Sequence, residues 1–150
     1  MNAKMTDMRA VRAHTTAPGV DPDRLWSLLT AGTELPAVCD QVLAVAPGPD
    51  GRQHWRVLLN GSEVEWEQTT RPRGPDRLDF EQVTGDLAEL RGAWSLDGGR
   101  LDLALEFHLG VDGLAPLLDP MWTQSLRAFA DSLVRGVAGA AAHDPEAQTP

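Results

Sequence analysis

The sequence predicts an α+β fold, a run of antiparallel strands whose dry face is covered by a long C-terminal helix. Three observations carry this prediction. Apolar spacing changes from helical to alternating near residue 41 and back to helical near residue 118. Tight-turn sequences such as Asn60-Gly61 and Asp97-Gly98-Gly99 punctuate the alternating stretch. Asp-Pro pairs stand at 21–22 and 119–120, each next to a stretch with helical spacing.

Met8–His14 reads as a first strand with poor alternation. Asp21-Pro22 then opens a helix. The aspartate can accept backbone N–H groups that have no partner in the first turn, and proline in that turn loses no bond. Leu25, Trp26, Leu28 and Leu29 form its apolar stripe, and Gly32 ends it. Thr33–Asp40 reads as a second short helix with Leu35, Val38 and Cys39.

Gln41–Ala46 is a short strand, and Pro47–Gly51 has turn composition. Trp55, Val57 and Leu59 then alternate with His54, Arg56 and Leu58, up to the hairpin signal Asn60-Gly61. The return strand has Val64, Trp66 and Gln68 on one side and Glu63, Glu65 and Glu67 on the other. Three carboxylates in a row belong in water, which fixes the register: a slip of one residue would bury them and expose Trp66. The Arg71–Asp76 loop leads to Leu78, Phe80 and Gln82, and a turn at Thr84-Gly85-Asp86 follows. Two further inner rows are Leu90, Gly92, Trp94, Leu96 and Leu101, Leu103, Leu105, Phe107. The last helix is expected from Pro120 to Ala140, after a short turn or helix at 114–118. Its stripe is Leu118, Trp122, Ser125, Leu126, Phe129, Leu133 and Val137. Residues 8–140 thus form one domain, with 1–7 and 141–150 as flexible tails.

A chain of 150 residues can bury a substantial core. Its formal charge of −9, with no basic cluster visible in the sequence, argues against nucleic acid as a partner. Arg71 and Arg73 flank a Pro-rich turn and read as a solvated loop. Cys39 is the only cysteine, so no internal disulfide forms, which agrees with a cytoplasmic location. The first twenty residues hold no apolar run of a signal peptide. No stretch approaches the ~20 apolar residues of a membrane span. The four histidines, His14, His54, His108 and His143, have no metal-ligand spacing, and no phosphate-binding glycine loop or serine nucleophile elbow occurs. No metal and no cofactor is expected.

Five tryptophans and no tyrosine remain to be explained. Trp55, Trp66 and Trp94 share the inner face of the strands, and Trp26 and Trp122 lie on the helices. Indoles gathered on one face either over-fill a core or line a pocket. As a set they favour a pocket for a flat apolar molecule. Gln68 and Gln82 also point inward. A buried amide finds backbone partners or bonds a ligand's carbonyl or hydroxyl. Ser125 has the same two readings, its internal partner being its own helix. Asp86 and Arg91 flank the middle hairpin and are expected to form an exposed ion pair.

Two segments carry a family resemblance. Asp23-Arg24-Leu25-Trp26-Ser27-Leu28-Leu29-Thr30 with Leu35-Pro36 resembles the opening helices of the START-like polyketide cyclase/dehydrase superfamily. Phe80-Glu81-Gln82-Val83-Thr84-Gly85-Asp86-Leu87, then Leu90-Arg91-Gly92-Ala93-Trp94, resembles its middle hairpin. The resemblance spans residues 8–140 in order. It implies the helix-grip fold (START/Bet v 1-like), in which about seven curved antiparallel strands grip the C-terminal helix, with two short helices after the first strand. It also implies a deep interior pocket. The ligand-binding set would be Trp26, Trp55, Val64, Trp66, Phe80, Leu90, Trp94, Leu103, Leu105, Trp122 and Phe129. For the aldol cyclisation and dehydration that the aromatase/cyclase resemblance implies, the inward residues Gln68, Gln82 and Ser125 would orient the carbonyls of a poly-ketone or aromatic precursor, as catalytic candidates.

The chain departs from that group at Gln68. The cyclases it resembles have an arginine on the fourth strand, and glutamine donates a hydrogen bond without a charge. Two other functions are implied by the same resemblance. One is a non-catalytic carrier of a quinone, lipid or other apolar metabolite. The other is a protein-binding regulator, for which the −9 charge suits a basic partner. An acyl carrier protein is a candidate partner, and the chain is expected as a monomer or dimer.

Overall fold

The computed structural model describes residues 9–59, 61–108 and 115–142, with the backbone alone for 115–120. Met8, Asn60, His143, the segments 1–7 and 143–150, and the side chains of Leu118, Asp119 and Pro120 lie outside the described residues.

Strand β1 (Arg9–Thr16) is followed by helices α1 (Pro22–Ala31) and α2 (Leu35–Val38). Strands β2 (Val42–Pro47), β3 (Gln53–Leu59), β4 (Ser62–Pro72), β5 (Arg77–Gly85), β6 (Glu89–Asp97) and β7 (Arg100–His108) come next, then helix α3 (Ala115–Ala141). The seven strands form one antiparallel sheet in the order β1-β7-β6-β5-β4-β3-β2. This is the curved, helix-covered α+β sheet that the turns and the two periodicities predict, and it is a helix-grip fold.

The local chemistry of α1 is as expected. Asp21 Oδ1 accepts the Asp23 N–H at 3.1 Å, and Gly32 closes the helix with a left-handed φ of 76°. The predicted second helix is shorter than 33–40, because the backbone turns extended at Cys39.

The largest correction concerns α3, which begins at Ala115 and runs straight through Asp119-Pro120. Pro116 stands in the first turn, where a missing N–H loses nothing. Pro120 stands in the second turn and removes one backbone bond. Asp119-Pro120 is therefore not a helix start. At the other end, the Asp21 N–H and the Arg24 guanidinium bond the Ala141 and Ala140 carbonyls at 3.1 and 2.9 Å. These donors satisfy carbonyls that the last helical turn leaves free. Ala142 bridges Val20, so the ordered chain runs past residue 140.

Inner and outer faces alternate most regularly along β3 and β7, while a register shift in β2 sets its buried Val42 and Val45 three apart. Val11, Val57, Leu101, Leu103, Phe107, Leu126, Val134 and Val137 are almost wholly buried. Glu63, Glu65 and Glu67 lie outside and pair across to Arg56, His54 and Arg52 at 3.7, 2.9 and 3.3 Å. The expected Asp86–Arg91 ion pair does not form. Asp86 accepts the Glu65 N–H at 2.8 Å, and Arg91 turns to Glu106 on β7, also at 2.8 Å. Cross-strand register decides this, since Arg91 is directly opposite Glu106. No helix among the described residues is long and apolar enough to cross a membrane.

Helix α3 packs most closely along β1, and it also meets α1, α2, β7 and β3. Among the described residues its approach to β4, β5 and β6 is weaker.

Candidate functional site

The inner face of the middle strands is organised by a chain of amides and indoles. Gln53, at the start of β3, is only 2 % exposed. Its Nε2 donates to the carbonyls of Leu29 and Thr30 at 2.8 and 2.7 Å, in the last turn of α1. Gly32 makes room for this amide, because a Cβ there would stand 2.9 Å from Gln53 Nε2 and 2.6 Å from Val45. Gln53 Oε1 accepts the Trp55 indole N–H at 3.0 Å and the Gln68 amide at 3.2 Å. Gln53 thus uses both donors and both lone pairs.

Gln68, on β4 directly opposite Gln53, accepts the Trp66 indole N–H at 2.7 Å. One N–H of Gln68 has no acceptor among the described residues. The two indoles stack on each other, with centroids 5.7 Å apart and planes within 10°. Offset stacking of this kind adds about 0.5–1.5 kcal/mol beyond burial.

A bulge shapes the next strand. The pairing steps from Glu67–Thr84 to Gln68–Gln82, which leaves Val83 without an opposite residue. Gln82 consequently sits opposite Gln68. Its Nε2 donates to the Leu87 carbonyl at 2.9 Å, but its Oε1 is buried with no partner among the described residues. Two neighbouring amides therefore have complementary open positions, a spare donor on Gln68 and a spare acceptor on Gln82. A buried acceptor left without a partner costs about 1–3 kcal/mol, so its persistence calls for an explanation.

The other expected site residues fall as follows. Trp55, Val64, Trp66, Phe80, Leu90, Trp94, Leu103, Leu105 and Phe129 are buried and belong to the central apolar cluster. Phe80 lies across Gly92, where any Cβ would stand 2.6 Å from the phenyl ring. Trp26 and Trp122 are partly buried and pack at the edge of the cluster. Trp26 donates its indole N–H to the Pro75 carbonyl at 2.8 Å, which ties α1 to the β4–β5 loop. Ser125 is half-buried on α3, and its hydroxyl makes no hydrogen bond among the described residues, its own helix included.

Sequence reasoning missed Gln53. The signal was present: Gln53 lies two residues before Trp55, so it belongs to the same inward row. Cys39, also buried, has its thiol pKa raised, chiefly by desolvation and also by the Asp40 charge, against two opposing backbone hydrogen bonds.

Together these positions set a stacked indole pair beside two amides with unused hydrogen-bonding capacity on one buried face. Among the described residues the inner face carries amide and hydroxyl groups but no buried carboxylate, lysine or histidine.

Known proteins agree with this architecture. The Thermus thermophilus protein TTHA0849 superposes with a TM-score of 0.78 at 22% identity, covering 94% of this chain and 100% of that one. The Zhui aromatase/cyclase from Streptomyces sp. R1128 superposes at 0.75 with 17% identity, over 89% of this chain and 93% of that one. Ginseng major latex-like protein 151 from Panax ginseng superposes at 0.67 with 13% identity, over 91% and 99%. At these identities the likeness is one of fold. A comparison with curated proteins gave no match. The model of one family, described as polyketide cyclase / dehydrase and lipid transport, matches residues 18–138, and the chain belongs to that family.

Proposed function

We propose that the protein binds a poly-ketone or aromatic precursor between the middle strands and α3, and promotes its aldol cyclisation and dehydration by positioning. The observation that carries this reading is the pair of opposed amides with one open donor and one open buried acceptor, set beside stacked indoles. Gln68 would donate to a ketone oxygen, and Gln82 would accept from an enol or hydroxyl. Ser125 would contact the ligand from α3. The methylene between two ketones is itself acidic, and solvent takes its proton. The enolate carbon attacks another ketone of the same chain, the new alkoxide takes a proton from solvent, and the resulting hydroxyl leaves as water with the second proton of that methylene. Holding the ends together supplies the main acceleration. An acyl carrier protein would deliver such a chain.

A second reading is a non-catalytic carrier of a quinone or lipid, and one observation favours it. Among the described residues the inner face carries no ionisable acid–base group beyond the Cys39 thiol.

One titration separates the two. Tryptophan fluorescence is followed as aromatic polyketides and quinones are added, and a poly-ketone is then tested for turnover. Quenching with cyclised product supports the cyclase reading. Quenching without product supports the carrier. The absence of any response overturns both.

A further inference from the structure

The outer face of the sheet carries a second feature, on the side opposite the amide pair. One straight cross-strand row reads Arg12, Ala104, Ala93, Asp79, Arg71 through β1, β7, β6, β5 and β4. Small side chains at its centre and long ones around it leave a hollow of about 460 Å³. Arg73, Arg77 and Arg91 complete its rim. Five of the chain's 13 basic residues thus surround one hollow in a protein of formal charge −9.

The ordinary explanation is a solvated face laced with ion pairs, and elsewhere it suffices. On β3 and β4 each of Arg52, His54 and Arg56 meets one glutamate. Around the hollow the pairing is unequal. Asp79 alone serves both Arg73 and Arg77, at 3.0 and 2.7 Å. Arg91 takes Glu106. Arg12 and Arg71, at the two ends of the row, have no ion pair among the described residues. Even with Glu81 counted, the lining has two positive charges in excess.

We propose that this hollow binds a small molecule bearing phosphate groups, held between Arg12 and Arg71 over the floor made by Ala93 and Ala104. Guanidinium forks match phosphate oxygens in pairs, and a volume of this size is that of a small-ligand site rather than a flat protein contact. Four strand spacings separate the ends of the row, ~19 Å along the backbone, a span the two long arginine side chains would close onto the ligand.

The test is calorimetric titration at low salt with inorganic pyrophosphate as the probe. The wild-type chain is expected to bind, and Arg12→Ser/Arg71→Ser to bind at least ~10-fold more weakly through loss of two charge-assisted contacts. Ala104→Leu fills the hollow without changing charge and is expected to abolish binding. A double variant with the same charge loss elsewhere, Arg56→Ser/Arg127→Ser, is expected to bind as the wild type does. The four arginines are exposed and Ala104 is partly buried on the outer face, so far-UV circular dichroism should be unchanged for each.

No binding by the wild type overturns the proposal. So does binding that survives Ala104→Leu, or that falls equally in the control, since either describes diffuse charge attraction. If poly-glutamate binds through Arg12 and Arg71 while pyrophosphate does not, the face is a dock for acidic protein and the proposal also falls. Tryptophan quenching by an apolar ligand is on the opposite face, so its result stands apart from all of these.

Discussion

Gln53 and Gln68, directly opposed on β3 and β4, share a hydrogen bond of 3.2 Å that joins the end of α1 to the indole row. Gln53 closes two carbonyls of the last α1 turn, and the same side chain accepts from Trp55. The helix end, the strand and the aromatic pair are therefore one hydrogen-bonded unit. Gln53→Leu would strand the Trp55 N–H, one Gln68 N–H and both carbonyls in an apolar setting. A loss of about 4 kcal/mol or more is expected, at ~1 kcal/mol for each group. Urea unfolding with an unchanged slope would report it. A loss below half a kilocalorie would mean that water replaces the amide.

The two inner amides should respond differently to the same change. Gln68→Met removes the acceptor of the Trp66 indole, and about 1–3 kcal/mol should be lost. Gln82→Met removes an acceptor that has no partner but also the donor to the Leu87 carbonyl, so the two changes offset and stability should move by less than ~1 kcal/mol. If Gln82 serves a ligand, this variant will lose affinity with little loss of stability. Equal ligand affinity in Gln82→Met and wild type would remove Gln82 from the site.

Trp55 and Trp66 stack face to face within 10°. Trp66→Ala should cost about 3–5 kcal/mol and abolish the near-ultraviolet circular dichroism of the coupled indoles. Trp94→Ala, which leaves that stack intact, should keep the signal. Both should weaken the proposed ligand by an order of magnitude or more if the indoles form a binding wall. Normal affinity in two destabilised variants would identify them as core alone.

The sheet was legible because one of its faces is dry: a period of two could place Trp55, Val64, Trp66, Leu90, Trp94, Leu103 and Leu105 on a single side. Other features depend on contacts between distant residues. The bulge at Val83 brings Gln82 opposite Gln68, and nothing in the local sequence around Val83 marks it. Asp119-Pro120 carries the composition of a helix start but lies inside α3, where Pro120 gives up one backbone bond and the helix continues through it. The arginine hollow draws on β1, β6 and the hairpin of β4 and β5, so only the strand order reveals it. Arg71 and Arg73, which read as a solvated loop, belong to its rim.

Gly92 allows the closest approach in the middle of the sheet. A Cβ there would stand 2.2 Å from the Ala104 carbonyl oxygen and 2.6 Å from the Phe80 ring. Gly92→Ala must push Phe80 off its seat or separate β6 from β7. A loss of about 1–3 kcal/mol is expected, as for overpacked cores. Thermal unfolding measures it, and Gly92→Ala/Phe80→Leu should recover part of the loss. No recovery would place the conflict at the backbone of β7.

Cys39 supplies a pH test of the α2 region. Its thiol is buried beside Gln41, to whose Oε1 it donates at 3.4 Å. Desolvation is the leading reason that its pKa is raised. The folded chain therefore keeps the proton to higher pH than the unfolded chain does. The contribution to stability is complete below the unfolded thiol value of ~8.5 and is lost as pH rises through the folded value. Wild-type stability should fall over that alkaline window, while Cys39→Ala should lack this component of the slope. Labelling with a thiol-specific disulfide reagent at mildly alkaline pH should be slow in the native state and fast in urea. Rapid native labelling, with the same alkaline slope in both chains, would show that the region between α2 and β2 opens readily and that the thiol is not sealed by packing.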